Sequence, residues 1–138
     1  MLVMEYNIKI GKYRLLCLDS VNVKKSVTTL SDTATIILPA SYINKAINVE
    51  NKIKEGDEVN IDFGYKNNIK NEFKGYLKSI QTDDGTIKLE CEDSIYLFRK
   101  EIPNKEMKEV SVKELLTYVI SQIDASYTLS CDYDFKYD

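Results

Sequence analysis

Tyr6, Ile8 and Ile10 alternate with Asn7 and Lys9 near the head of the chain, the period of a strand with one buried face. Gly11-Lys12 predicts a tight turn into a second extended run over residues 13–18. Residues 21–30 predict another, with Val21, Val23 and Val27 on one side. Ser31-Asp32 breaks it, because short polar side chains bond nearby backbone and favour turns. Thr33 to Leu38 then resumes with strong β-formers, and Pro39, which has no donor for a ladder, shuts the strand off. The stretch LSDTATIILP is therefore expected to be the turn and return strand of a hairpin.

Residues 40–54 lack strand alternation and predict a long connection with a short helix. Val59, Ile61, Phe63 and Tyr65 face one way and Asn60, Asp62 and Gly64 the other, the cleanest alternation in the chain. Lys66-Asn67-Asn68 turns it. Residues 73–82 and 86–92 flank Asp84-Gly85, a type I′ hairpin signal because both central residues need positive φ. With Asp83 opposite Thr86, Ile80 falls opposite Leu89 and Thr82 opposite Ile87, while Ser79, Gln81, Lys88 and Glu90 share the other face. The pattern slips at Tyr76–Lys78, just after Gly75, which predicts a bulge or sharp bend there.

Asp93 predicts a cap for a short helix over residues 94–100. Residues 100–109, with Pro103, predict a linker. Ser111-Val112-Lys113-Glu114 is a capping box, and Val112, Leu115, Leu116, Val119, Ile120 and Ile123 form an apolar stripe at helical spacing. Tyr127 to Cys131 predicts one more strand. The expected fold is mostly β: a small split or partly open antiparallel barrel of six to seven strands, plus a C-terminal helix and short strand. The expected division places the barrel in residues 1–103, and the linker, helix and strand in 104–138 as the start of something further.

A chain of 138 residues is long enough to bury its own core. Its net charge of −3 argues against a dedicated nucleic-acid binder, which would concentrate basic surface. All but two of the nineteen cations are lysine, the exceptions being Arg14 and Arg99. Cys17, Cys91 and Cys131 are widely spaced, with no Cys-x-x-Cys, which predicts reduced thiols in a protein made in the cytoplasm. No apolar run approaches membrane-spanning length, and no cationic start and apolar centre of a signal peptide is present.

Histidine is absent, which excludes Ser-His-Asp and Cys-His hydrolases in their usual form. Glu90, Glu92 and Asp93 offer carboxylates, but the strand face and the capping position predict a solvated surface in preference to acid–base catalysis. Asp132, Asp134 and Asp138 resemble the start of a calcium loop, but its glycine and closing glutamate are lacking, and a frayed acidic terminus is expected instead. No glycines cluster into a phosphate cradle. Ten tyrosines could stack on bases, yet Tyr6, Tyr65, Tyr76, Tyr96 and Tyr118 fall where a core or interface role is simpler. Neither catalytic residues, nor a metal, nor a cofactor is expected. The helical stripe needs cover from the barrel, from a neighbouring subunit or from a further domain.

Four stretches then come in a recognisable order: LSDTATIILP, IKEGDEVNIDFGY, FKGYLKSI and IKLECEDSIYLFRK. Over roughly residues 18–100 they resemble the first barrel of phage baseplate hub proteins, the group of the late control protein D family and the hub part of type VI secretion spike proteins. The helix at residues 111–123 resembles, more loosely, the one that leads onward in those proteins. Full hubs carry two such barrels and this chain contains one, as a fragment, a truncated gene product or a minimal hub.

The resemblance implies a structural role: a split barrel that packs beside its copies in a trimeric or other ring, continues the tail tube and holds the spike. It implies tail-tube and spike proteins as partners, and a virion tail or contractile injection device as destination, with no specific nucleic-acid binding and no membrane insertion. The other reading carried by the residues is a small barrel that binds single-stranded nucleic acid or a small ligand. On the hub reading, the Asn60 and Asp62 face borders solvent or lumen. Tyr42, Ile43, Ile47 and Val49 are candidate subunit-interface residues, as an arm over a neighbour or a loop over the chain's own barrel. Charge substitutions at Ile43 and Ile47 are expected to abolish assembly and leave the circular dichroism spectrum intact; loss of the fold instead points to the loop.

Overall fold

The computed structural model describes residues 3–39, 52–124, 126–132 and 134–136. They fall into two compact units, Met1–Tyr96 and Leu97–Asp138. In the first, the strands are β1 (Met4–Ile10), β2 (Tyr13–Arg14), β3 (Ser20–Lys24), β4 (Thr33–Pro39), β5 (Glu58–Tyr65), β6 (Asn68–Asp83) and β7 (Thr86–Glu92). They make one antiparallel sheet in the order β2-β1-β5-β6-β7-β4-β3.

Covalent connectivity makes this sheet curl. A flat sheet of this order would hold β2 and β3 about 29 Å apart. Only residues 15–19 join them, and that link spans at most about 22 Å when fully extended. The link is tied at both ends: the Leu15 N–H donates to the Ile8 carbonyl at 2.9 Å, and the Asp19 N–H to the Ile37 carbonyl at 2.9 Å. Leu15 itself is buried. The result is a partly open barrel whose edge strands are not paired to one another.

The core is the concave face. Ile8 and Ile10 from β1, Ile36 and Leu38 from β4, Val59 and Ile61 from β5, Leu77 from β6, and Ile87 and Leu89 from β7 are at most 1% exposed. Period-2 alternation puts these residues on one side of every strand, so curling brings them together. Phe73, Ile53, Leu15, Ala34 and Cys91 complete the cluster.

The Asp84-Gly85 hairpin has the register expected from its pattern: Asp83 pairs with Thr86, Thr82 with Ile87 and Ile80 with Leu89. Its turn is not the expected type I′, because only Gly85 of the two central residues has positive φ, at 93°. The ladder shifts between Leu77 and Ser79, where the alternation slips. Gly75 is not the bulged residue; it pairs regularly with Val59. A Cβ there would collide with the carbonyl oxygen of Glu92, so glycine is needed where β6 leaves β5 and takes β7 as its partner. A second shift, between Ile61 and Asp62, leaves Glu72 unpaired in register. Nothing in the alternation announces it, because Glu72 lies among polar residues.

Other expectations are corrected. The run from residue 13 is a strand only for two residues, since the chain must then cross the seam. The extended run from residue 21 ends at Lys24. Beyond it the Ser26 N–H donates to Asp32 Oδ1 at 3.2 Å, the Thr28 N–H to Ser26 Oγ at 3.2 Å, and the Thr29 hydroxyl to the Ser31 carbonyl at 3.2 Å. Side chains that bond local backbone compete with a ladder, and here they win. Val27, expected beside Val21 and Val23, is fully exposed.

Asp93 caps as expected, but the helix it starts is a 3-10 helix, Ser94–Arg99. In the second unit, α1 (Val112–Ile123) begins with the full reciprocal capping box of Ser111 and Glu114. Lys100 Nζ donates to the Gln122 carbonyl at 3.1 Å near its other end, where a cation complements the dipole. The expected strand at Tyr127 to Cys131 does not form among the described residues; a single bridge, Ser111 with Lys136, takes its place. Five apolar-leaning residues cannot become a strand without a ladder to join.

Leu89→Ala is expected to lower unfolding free energy by about 2–5 kcal/mol. Leu30→Ala, at a position 84% exposed, is expected to change it by less than about 0.5 kcal/mol. Urea denaturation followed by circular dichroism measures both.

Candidate assembly surface

The three carboxylates singled out at the end of β7 each make bonds to the fold. Glu90 lies on the convex face, with Lys88 Nζ at 2.7 Å and the Ser79 hydroxyl at 3.3 Å. The Lys88 hydrogen bond and charge hold its carboxyl below the usual range. Glu92 is 2% exposed, which corrects the expectation of a solvated position. It pairs with Thr33 on one side and Tyr76 on the other, and the Ser31 hydroxyl reaches over to donate to Oε1 at 3.0 Å. Asp93 accepts from the Asp32 N–H at 2.8 Å and the Ile95 N–H at 2.9 Å. The Asp93 N–H in turn donates to the Asp32 carbonyl at 3.1 Å.

The Ser31-Asp32 corner is thus locked onto the end of β7 by reciprocal bonds. Between the two acids, burial pushes the Cys91 thiol up to about 12, with the Glu90 charge adding to it. A thiol so protonated is no nucleophile at neutral pH. The described residues hold no cluster of metal-ligating side chains. Asp134, expected at a frayed acidic end, accepts from the Lys113 N–H at 3.4 Å.

What remains is exposed apolar surface. The locked corner carries a loop, residues 25–32, whose Val27 and Leu30 are 104% and 84% exposed. Lys25 Nζ reaches Glu72 Oε2, the bulged position of β6, at 3.3 Å.

A second surface lies where β1, β5 and β6 run on past the core. Met4 pairs with Tyr65, and Gly64 with Ile69; Met4, Tyr65 and Ile69 are all exposed. Met4, Glu5, Tyr6, Asn7, Arg14 and Ile69 line a shallow depression of about 360 Å³. Across the convex face runs a polar belt in which Asp62 accepts from Asn7 Nδ2 at 3.0 Å and Asn71 Nδ2 at 2.8 Å. On the face expected to border solvent or lumen, Asp62 ties three strands together. Its partner Asn71 is set by the Glu72 bulge, which sequence reasoning missed.

β2 covers β1 only at Lys9 and Ile10. The stretch from Met4 to Asn7 is therefore an open strand edge. The candidate interface residues Tyr42, Ile43, Ile47 and Val49 lie outside the described residues.

In the second unit no residue of α1 is buried, and Leu115 and Leu116 are 41% and 37% exposed. Thr117, Ile120, Ser121, Tyr127 and Leu129 line a cleft of about 230 Å³. The Ser126 N–H, at 2.8 Å, holds the Asp124 carboxyl below its usual range at the C-terminal end of the helix. No helix among the described residues is long and apolar enough to cross a membrane.

No family model matches this chain, and no curated protein matches it. Among solved structures, the fold is similar to that of the prophage MuSo2 43 kDa tail protein from Shewanella oneidensis. The TM-score is 0.53 at 15% identity, over 99% of this chain and 45% of that one. This chain therefore spans less than half the length of that tail protein.

Asp93→Ala removes the acceptor of two backbone donors. It is expected to cost about 1–3 kcal/mol, measured by urea denaturation, and to speed proteolytic cleavage within residues 25–32 more than elsewhere.

Proposed function

We propose that this protein is a structural component of a phage tail or related contractile injection device, as a hub element that assembles with copies of itself. The observation that carries the reading is the fold likeness to a prophage tail protein across 99% of the chain. Three further observations support it. The carboxylates at the end of β7 are committed to a turn, a strand face and a cap. The surface features left over are apolar side chains and open strand edges, which suit protein contacts. The convex face is polar without a concentration of cations, a surface with little attraction for phosphate.

In this role the barrel is one segment of a ring wall that continues the tail tube and meets the spike. Tail-tube and spike proteins are the partners, and the virion tail is the destination. No catalysis is part of it. The locked corner keeps one loop in a fixed conformation and presents Val27 and Leu30 without ordering cost at the moment of contact.

The purified chain is expected to form trimers or rings visible by negative-stain electron microscopy, or to co-purify with the tail-tube protein of its own gene cluster. Salt-dependent binding of single-stranded oligonucleotides by a chain that never assembles would support the nucleic-acid barrel in its place.

A further inference from the structure

We infer that the Lys9–Arg14 cation pair and the depression beside it bind an acidic segment of a partner protein, one that carries apolar side chains among its carboxylates. The inference rests on the assembly reading above and names the chemistry of one contact.

The β1–β2 hairpin sets two cations directly against each other, because its register pairs Ile10 with Tyr13 and Lys9 with Arg14. The Ile8 carbonyl accepts from the Leu15 N–H at 2.9 Å. Alternation along β1 therefore makes Ile8 and Ile10 the bonded positions toward β2 and Lys9 a non-bonded one. Opposed side chains come closest at such positions, and like charges there are unfavourable. Among the described residues, neither Lys9 nor Arg14 has an ion-pair partner. Lys9 alternates with the buried Ile8 and Ile10, so both cations stand on the convex face.

That face gives them little relief of its own. Continuing the same row, Asn60 pairs with Lys74, a third cation, which Glu58 takes up at 3.3 Å. In the adjacent row the Asp62 carboxylate is held by Asn7 and Asn71. An acid in place of either Lys9 or Arg14 would turn repulsion into attraction, so the pair costs the isolated chain stability. Proteins break such local rules at functional sites and compensate elsewhere.

The depression narrows the kind of partner. Arg14 and Asn7 line it together with Met4, Glu5, Tyr6 and Ile69, over about 360 Å³. Met4, Tyr6 and Ile69 are exposed there. Glu5 and Ile69 flank Gly64 in one cross-strand row, with no side chain between them. A free anion would use the cations and leave the apolar lining in water, whereas a peptide uses both. Its carboxylate belongs at the Arg14 end, because Glu5 repels it at the other. One cation pair beside Asp62 and Glu58 does not suit a nucleic acid, whose affinity comes from several cations along its backbone.

The test is fluorescence anisotropy of the full chain with a short fluorescein-labelled peptide of alternating leucine and aspartate, beside urea denaturation of the same variants. Arg14→Glu and Lys9→Glu are each expected to weaken peptide binding about fivefold or more. Each is also expected to raise the urea midpoint by about 0.2–0.5 M, because an opposed like pair becomes an opposite one. Lys108→Glu makes the same change of net charge in the other unit and is expected to alter neither. Ile69→Ala is expected to weaken binding and leave the midpoint in place. A peptide that does not bind, or that binds both reversal variants as well as the parent, overturns the acidic partner alone and leaves assembly standing. The same holds for a single-stranded oligonucleotide that binds at Lys9 and Arg14 where the peptide does not. A midpoint that falls in both reversal variants overturns the strained pair and the inference with it. A chain that neither binds the peptide nor assembles overturns the inference and the assembly reading together.

Discussion

The first unit depends on a length mismatch. Seven strands in the observed order are wider than the link between β2 and β3 can reach, so the sheet cannot lie flat. Curling puts the apolar face of every strand on the inside, where hydrophobic burial then holds the curve that connectivity imposed. The seam is closed by a link and not by a ladder. Leu15 fills the gap with an apolar side chain, and the backbone bonds at Ile8 and Ile37 hold its two ends. A barrel closed this way keeps strand edges open on both sides of the seam.

β6 makes the curl possible. Its 16 residues serve β5 first and β7 afterwards, and the change of partner needs backbone approaching backbone at Gly75. Bulges at Lys78 and Glu72 let the strand bend and twist without losing its core residues. Each also has a local consequence. The first lies where Tyr76, stacked on Tyr96 at 5.8 Å, faces the buried Glu92. The second leaves Asn71 able to bind Asp62 while Glu72 meets Lys25.

The end of β7 shows how a carboxylate becomes structural. Glu90, two residues before Glu92, stays at the surface and pairs with lysine. Glu92 occupies the same face but lies under the returning corner, so it takes a hydroxyl partner instead of water. Asp93 then serves two turns at once. These acids spend their hydrogen-bonding capacity on the fold.

Much of this was legible in the chain itself, for a local reason. Period-2 alternation, the Asp84-Gly85 turn, the capping box and the stop at Pro39 act over a few residues and do not wait for tertiary partners. They specified a mostly-β domain, the β6–β7 register and the helix boundaries. Tertiary structure decided whatever depended on a distant neighbour. Glu92 is buried because a corner 61 residues earlier in the chain folds over it. Tyr127 to Cys131 forms no strand because no ladder is offered to it. The strand from residue 21 ends at Lys24 because its own hydroxyls and Asp32 bind the backbone first. Which strands are edges is likewise a property of the assembled sheet, since alternation shows which face is buried but never who lies alongside.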